Sequence, residues 1–399
     1  MRIGFLLNHD QAHQAAHAIP IAASLALVRP DVEVVVAVTT DQLADEACRL
    51  ARRLGASLPL IRLAPPGGAG ASLILRALDR FVPASRLAVY GRHLDFFRGF
   101  DALVVTEKTS LVLKTRYGLD RLPLIHTRHG AGDRAIGFNR QSAGFDHVLV
   151  SGAKVRDRLI AESGVRPERI SVVGYPKFDL PRAPAPALPF AHPDRPTVLY
   201  NPHPSPQLSS WYRHGAAVLE SFARSDRYNL IFAPHVMLFQ RPLTVTLEPF
   251  AIGRAGRVPA HLLSAANIHV DLGSSASNDM TYSDAADIYL GDVSSQVYEF
   301  LRFPRPCVFL NSHAIDPKND PNFAAWRAGP VIEDPDLLDA ALEAAQRGQP
   351  DRLPVQRELF ARTFDLSDEP SADRAARAVM RFLQPPEPRV ADAVAFSAA

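Results

Sequence analysis

The side chains best suited to chemistry stand just past short apolar runs. In LIHTRHGAGDRAIGF, residues 124–138, His129 is followed closely by Gly130, Gly132, Asp133 and Arg134. An imidazole with an ordinary pKa of about 6.5 takes a proton from an alcohol near neutral pH, which makes His129 the candidate general base. Asp133 is a candidate to orient that ring or to pair with Arg134, while Gly130 and Gly132 let backbone approach a ligand. His126, on the apolar run itself, is expected to support the strand end.

Other candidates come from the second half of the chain. YNPHP (200–204) and FAPH (232–235) each place a histidine, His203 or His235, shortly after an apolar run, with proline fixing the turn. As hydrogen-bond donors there, both reach toward a bridging diphosphate. In GDVSSQVYEFL (291–301), Ser294 and Ser295 precede helical spacing, where free amides favour a phosphate. Glu299 lies one turn further on the same face, placed to accept from ribose hydroxyls. Each feature also has a structural reading: a capped helix with a surface glutamate, loop histidines at the surface, or an ordinary turn. No HExxH or comparable spacing gives a metal site, no GxSxG supports a serine nucleophile, and no cofactor is implied.

These residues must be held by strands. Apolar, β-branched runs at 3–8, 32–38, 58–63, 102–106, 124–127, 147–151 and 170–173 alternate with helical stretches at 12–27, 41–54, 71–80, 85–98 and 153–163. After LPRAPAPALPFAHPDRP, too rich in proline for helix or sheet, the alternation restarts. Strands are expected at 197–200, 229–233, 268–271, 288–290 and 306–310, with helices near 216–223, 295–302 and 336–346. PPGGAGA (65–71) has neither a P-loop lysine nor dinucleotide-fingerprint spacing and reads as a loop. Alternation of this length predicts an α/β protein with parallel sheets, and ligands then bind at the carboxyl ends of the strands. The expected division is a first Rossmann-like domain over 1–180, a linker over 181–196, a second domain over 197–365, a terminal helix over 366–385 that packs back toward the first domain, and a tail over 386–399.

With 399 residues the chain exceeds the size at which one core stops growing. The 44 Lys and Arg against 42 Asp and Glu leave a formal charge of +2, so no global basic field points to nucleic acid. Cys48 and Cys307 sit in apolar contexts and are expected as buried thiols. The N-terminal apolar run is too short for a signal peptide, and no run spans a bilayer. A cytoplasmic location is expected, with docking at the inner face of the cytoplasmic membrane left open.

Five segments, HTRHGAG, GYPKFD, VLYNPHP, IFAPH and above all YSDAADIYLGDVSSQVYEFLRFPRPCVFL, together resemble the CDP-glycerol glycerophosphotransferases of the teichoic-acid primase and polymerase group. The resemblance covers roughly residues 100–385. It implies a GT-B-like fold, two Rossmann-like domains facing across a cleft, and transfer of glycerol phosphate from CDP-glycerol to a glycan or lipid-linked hydroxyl. It assigns the base to His129, donor binding to His235, Ser294, Ser295 and Glu299, and a further donor contact to Arg374 in TFDLSDEPSADRAARAVMRFL (363–383). Two enzyme alternatives share these residues: a GT-B glycosyltransferase using a UDP-, CDP- or CMP-sugar, and a nucleotide-sugar 2-epimerase. A non-catalytic nucleotide-sugar-binding protein is the alternative of another class.

Overall fold

The structure, a computed structural model, describes residues 1–9, 11–67, 75, 84–128, 130–182, 184, 186–240, 243–247 and 250–384. The expected helix at 71–80, most of the Gly-rich loop, the tail over 386–399 and His129 itself lie outside the described residues.

Two parallel sheets organise the chain. The first contains β1 (Arg2–Leu7), β2 (Glu33–Val38), β3 (Leu60–Arg62), β4 (Ala102–Val105), β5 (Leu124–Thr127), β6 (His147–Val150) and β7 (Ile170–Val172), in the order β3-β2-β1-β4-β5-β6-β7. Further along come β8 (Thr197–Asn201), β9 (Asn229–Phe232), β10 (Thr244–Leu247), β11 (Phe250–Gly253), β12 (Ile268–Val270), β13 (Ile288–Gly291), β14 (Cys307–Leu310) and β15 (Val331–Ile332). Six of them form the second sheet, β12-β9-β8-β13-β14-β15, while β10 and β11 pair antiparallel as a separate hairpin. The expected α/β fold with two parallel sheets is therefore present. The central strands are buried on both faces, as their continuous apolar runs require: in β1, Ile3, Phe5 and Leu7 enter one core and Leu6 the other.

Both sheets reverse strand order at one place, between β1 and β4 and between β8 and β13. A crevice opens at the carboxyl ends of the strands on either side of such a switch. His203 follows β8 and Asp292 follows β13, so these residues flank the second switch point.

The chain leaves the first sheet after β7 through the proline-rich stretch and returns over two helices, Gln349–Thr363 and Ser371–Leu383. The second belongs to the first sheet's core: Ala375, Ala376, Val379 and Met380 are buried with Ile3 and Phe5, and Ser24 Oγ donates to Asp373 at 2.6 Å. No described helix is long and apolar enough to cross a membrane.

Local departures from expectation have local causes. The single helix expected over 12–27 breaks at Ala18 into a 3-10 turn, Ala12–His17, and a helix, Ile19–Val28, because Pro20 has no N–H for a helix interior and starts a new one instead. Cys307 is buried as expected, but Cys48 is exposed. In its helix the inward stripe is Leu43, Ala47, Leu50 and Ala51, and position 48 falls off that stripe. The β10–β11 hairpin and the helix Gln349–Thr363, which tolerates Pro354, carried no pattern that singled them out.

Candidate functional site

Three groups converge where the carboxyl ends of the two sheets meet. Arg134 comes from the loop after β5, His203 from the loop after β8, and His235 from the loop after β9. Arg134 Nη1 lies 2.9 Å from His203 Nε2, and the two imidazoles stand 6.1 Å apart, centroid to centroid. His203 Nδ1 receives the Ser205 N–H at 3.0 Å, and His235 Nδ1 receives the Met237 N–H at 3.3 Å. Those bonds put the ring protons of the neutral histidines on Nε2. A guanidinium has donors only. Whichever nitrogen of His203 carries the proton, one of its two contacts sets donor against donor.

The electrostatics agree. Burial pushes the His203 pKa well below its ordinary value, and the positive charge of Arg134 and the His235 ring add to the effect. His235 is lowered to about 4, by burial and then by Arg134. Burial also lowers Arg134, opposed by the charge of Asp292. Asp292 is itself fully enclosed and is raised to about 6 by burial, although the amides of Ser210, Val293 and His203 and the Ser210 hydroxyl all donate to it. Its oxygens are thus already taken, and the cluster has more donors than acceptors.

Ser295 stands against the loop that carries Arg134. Gly130 has φ +76° and would carry a Cβ 3.8 Å from Ser295 Oγ; at Gly132 the Cβ would fall 3.1 Å from Ser295 Cβ. Glycine is therefore required by backbone conformation at the first position and by close approach at the second. Ser294 is buried, and its Oγ receives the Gln296 N–H at 3.3 Å. The expected helix over 295–302 is a short one, Gln296–Phe300.

Two predicted carboxylates have other partners than expected. Asp133 does not pair with Arg134. Lys154 Nζ donates to its Oδ1 at 2.7 Å, the Tyr298 hydroxyl donates to its Oδ2, and Arg158 donates to its carbonyl. Burial lowers Lys154 to about 8, opposed by Asp133. The physical reason is reach: Asp133 points inward, with 5% of its surface exposed, toward a helix that presents Lys154 and Arg158, whereas Arg134 points into the cleft. Glu299 is not free for a ribose in this structure. Its carboxylate receives Lys177 Nζ at 2.7 and 2.9 Å and the Tyr175 hydroxyl at 2.8 Å.

Arg374 donates to the carbonyl and carboxylate of Asp365 and to the Val172 carbonyl, so it ties the returning segment to β7 and makes no hydrogen bond to His235, Ser294 or Ser295. Those donors are spent on the chain crossing because the terminal helix belongs to the first sheet. His126 supports its strand, stacked on Phe145 at 4.4 Å with Nε2 3.3 Å from the Thr106 carbonyl. Of the residues the sequence left out, Lys154, Tyr175, Lys177, Asp292 and Tyr298 form the frame of the site. GYPKFD and the aspartate before the paired serines were the visible signals for three of them.

A cavity of about 190 Å³ also opens between the sheets; Lys177 and Val236, the neighbour of His235 in sequence, line it, whereas Arg134, His203 and His235 themselves do not. Its first-sheet wall includes Gln11, His13, Glu46 and Arg49; Gln240 and the 273–280 segment form the opposite wall. Gln11 Nε2 donates to Gln240 Oε1 at 2.9 Å across the opening.

No protein-family profile matches this sequence, and neither does any curated protein. Solved structures do match in shape. The wall teichoic acid polymerase TagF superposes with a TM-score of 0.59 at 12% identity, covering 96% of this chain and 89% of that one. UDP-GlcNAc 2-epimerase from Neisseria meningitidis bound to UDP-GlcNAc gives 0.59 at 13% identity over 96% and 99%, and the S. aureus MnaA–UDP structure gives 0.57 at 12% over 95% and 94%. Such likeness, spread over nearly the whole of each chain, shows the architecture: this chain has the GT-B fold.

Proposed function

We propose that this chain is a GT-B transferase that moves glycerol phosphate, or a related group, from a nucleotide-diphosphate donor such as CDP-glycerol to a hydroxyl of a glycan or lipid-linked acceptor. The observation that carries this reading is the Arg134–His203–His235 cluster, drawn from both sheets, in which neutral His203 has a single acceptor nitrogen for the N–H groups of both Arg134 and Ser205, and the Nδ1 of His235 is already taken by Met237. A diphosphate supplies the missing oxygens. The polar cavity between the sheets, bounded by Lys177, Asn278 and Asp279 among others, offers room for the rest of the donor.

In this reading the acceptor hydroxyl gives its proton to His129 and its oxygen attacks the distal phosphorus of the donor. The bond from that phosphorus to the bridging oxygen breaks, and CMP leaves with the electron pair. Arg134, His203 and His235 meet the charge that develops on the leaving phosphate, in a site whose burial strengthens each contact. Asp133 acts on this chemistry by anchoring the His129 loop through Lys154 and Tyr298.

The test is a thermal-shift and turnover screen with CDP-glycerol, CDP-ribitol, CMP-sugars and UDP-sugars, with release of CMP or UDP as the readout. One cytidine donor is expected to raise the melting temperature, to release CMP only when an acceptor is present, and to bind His129→Ala normally without turnover. Absence of any shift sinks the donor site; release of free UDP-sugar epimer without acceptor, or full turnover by His129→Ala, replaces the transfer mechanism.

A further inference from the structure

The β10–β11 hairpin is built inside out. Val245 pairs with Ile252 in its register, and these two residues are 48% and 55% exposed. Leu243 at 50% and Phe250 at 68% are exposed as well. A half-buried hairpin ordinarily turns its large apolar residues inward and its threonines outward. Here Thr244 and Thr246 are the partly covered residues and Gly253 is buried: a Cβ at Gly253 would lie 2.5 Å from the Tyr212 ring and 2.6 Å from Pro206. The inward face is thus flush against the body of the protein and cannot exchange places with the outward one. A one-residue register shift would bury the apolar set, so the glycine holds it at the surface.

Charge accompanies the apolar face. Arg254 and Arg257, just past β11, are exposed. Between 237 and 263 the sequence has three arginines and one glutamate, a surplus equal to the +2 of the entire chain. The hairpin also has a defined place: the helix Met237–Gln240 that leads into it lines the cavity through Gln240, whose side chain is bonded to Gln11 across the cleft. The hairpin therefore follows within a few residues of the cleft wall.

We propose that this hairpin docks on an anionic lipid surface, with Leu243, Val245, Phe250 and Ile252 entering the headgroup and acyl boundary and Arg254 and Arg257 meeting lipid phosphates. Two four-residue strands fall far short of the roughly 800 Å² per partner that a stable protein interface takes. They do suffice for interfacial insertion, where a few large apolar side chains and nearby arginines act together. Docking in this way holds the cleft wall near the membrane. The inference goes beyond the transfer reading and does not rest on it, since its readout is binding to lipid and not turnover.

The experiment is sedimentation of the full chain with vesicles of phosphatidylglycerol and phosphatidylcholine, against vesicles of phosphatidylcholine alone. The protein is expected to sediment with the anionic vesicles and to be released as salt is raised. Phe250→Ser with Ile252→Ser lowers the partition coefficient by roughly tenfold or more. Arg254→Glu with Arg257→Glu lowers it by at least about tenfold while leaving the melting temperature unchanged, which separates lost binding from lost folding. Failure of the wild type to sediment, or sedimentation of either variant equal to that of the wild type, overturns the proposal. So does a wild-type dimer in sedimentation velocity that the Phe250→Ser, Ile252→Ser variant abolishes, which would make this face a contact between copies.

Discussion

Two sets of contacts bridge the same pair of sheets, and they are opposites. At one crossing Lys154 and Tyr298 share Asp133, and Lys177 and Tyr175 share Glu299, so that every charge meets a countercharge or a hydroxyl. At the other crossing Arg134 faces His203 and His235, and neutral His203 has one acceptor nitrogen for the two N–H groups that reach it. The first set holds the lobes in register; the second stores an electrostatic vacancy that an anion relieves. The place where the charge balance stays open is the one we propose for the ligand, on charge balance and not on any single residue type.

That contrast sets the order of tests. The largest effect is expected at the satisfied crossing. Lys177→Ala strands the Glu299 carboxylate in the interior and should cost about 3–5 kcal/mol of unfolding free energy in urea titration. Lys177→Met combined with Glu299→Gln should recover most of it. A single-variant loss under about 1 kcal/mol would show that the clamp is not what joins the lobes.

At the open crossing the sign reverses. Arg134→Ala removes a repelling charge, so stability should hold or rise slightly, while affinity for the nucleotide diphosphate falls by about 10–100-fold, the worth of a charge-assisted hydrogen bond. Calorimetry with the donor found in the screen measures the second quantity. Equal losses of stability and affinity would erase the distinction between the two crossings.

The smallest effect is in pH dependence. His235 ionises near 4 in the fold against an ordinary value of 6.5, so the unfolded chain binds more protons between those limits. The stability that comes from keeping it neutral is present above 6.5 and lost as pH falls toward 4. Asp292, raised from 3.8 to about 6, opposes this, because its buried charge is relieved as pH falls through 6. Saturating diphosphate should make the acid loss shallower by on the order of 1 kcal/mol, since a bound anion raises the histidine pKa. An unchanged slope would place the anion away from His235.

Much of this was legible in the residues. Continuous β-branched runs separated by helical periodicity specify parallel strands covered on both faces, and His203, His235, Ser294 and Ser295 stand just past the carboxyl ends of such strands. The partners of the carboxylates were not legible. Glu299 lies 122 residues from Lys177 and Asp133 lies 165 from Tyr298. A surface glutamate and a buried clamp look the same in one dimension, because burial is a property of the packed sheets and not of the side chain. Arg374 was read as a donor contact for the same reason, and the terminal helix that carries it proved to belong to the first sheet's core.

What the amino-acid sequence determined by itself is local: strand and helix periodicity, the glycines of the 124–138 turn, and the supply of imidazoles, hydroxyls and arginines at strand ends. Tertiary structure alone decided which charges meet. Arg134 and His203, 69 residues apart, became neighbours at 2.9 Å only because both sheets turn their carboxyl ends toward one cleft. The face that the hairpin presents outward was decided in the same way, by the contact of Gly253 with Tyr212 and Pro206. Local propensity acts over a few residues, whereas charge complementarity and surface exposure are set by the whole packed arrangement.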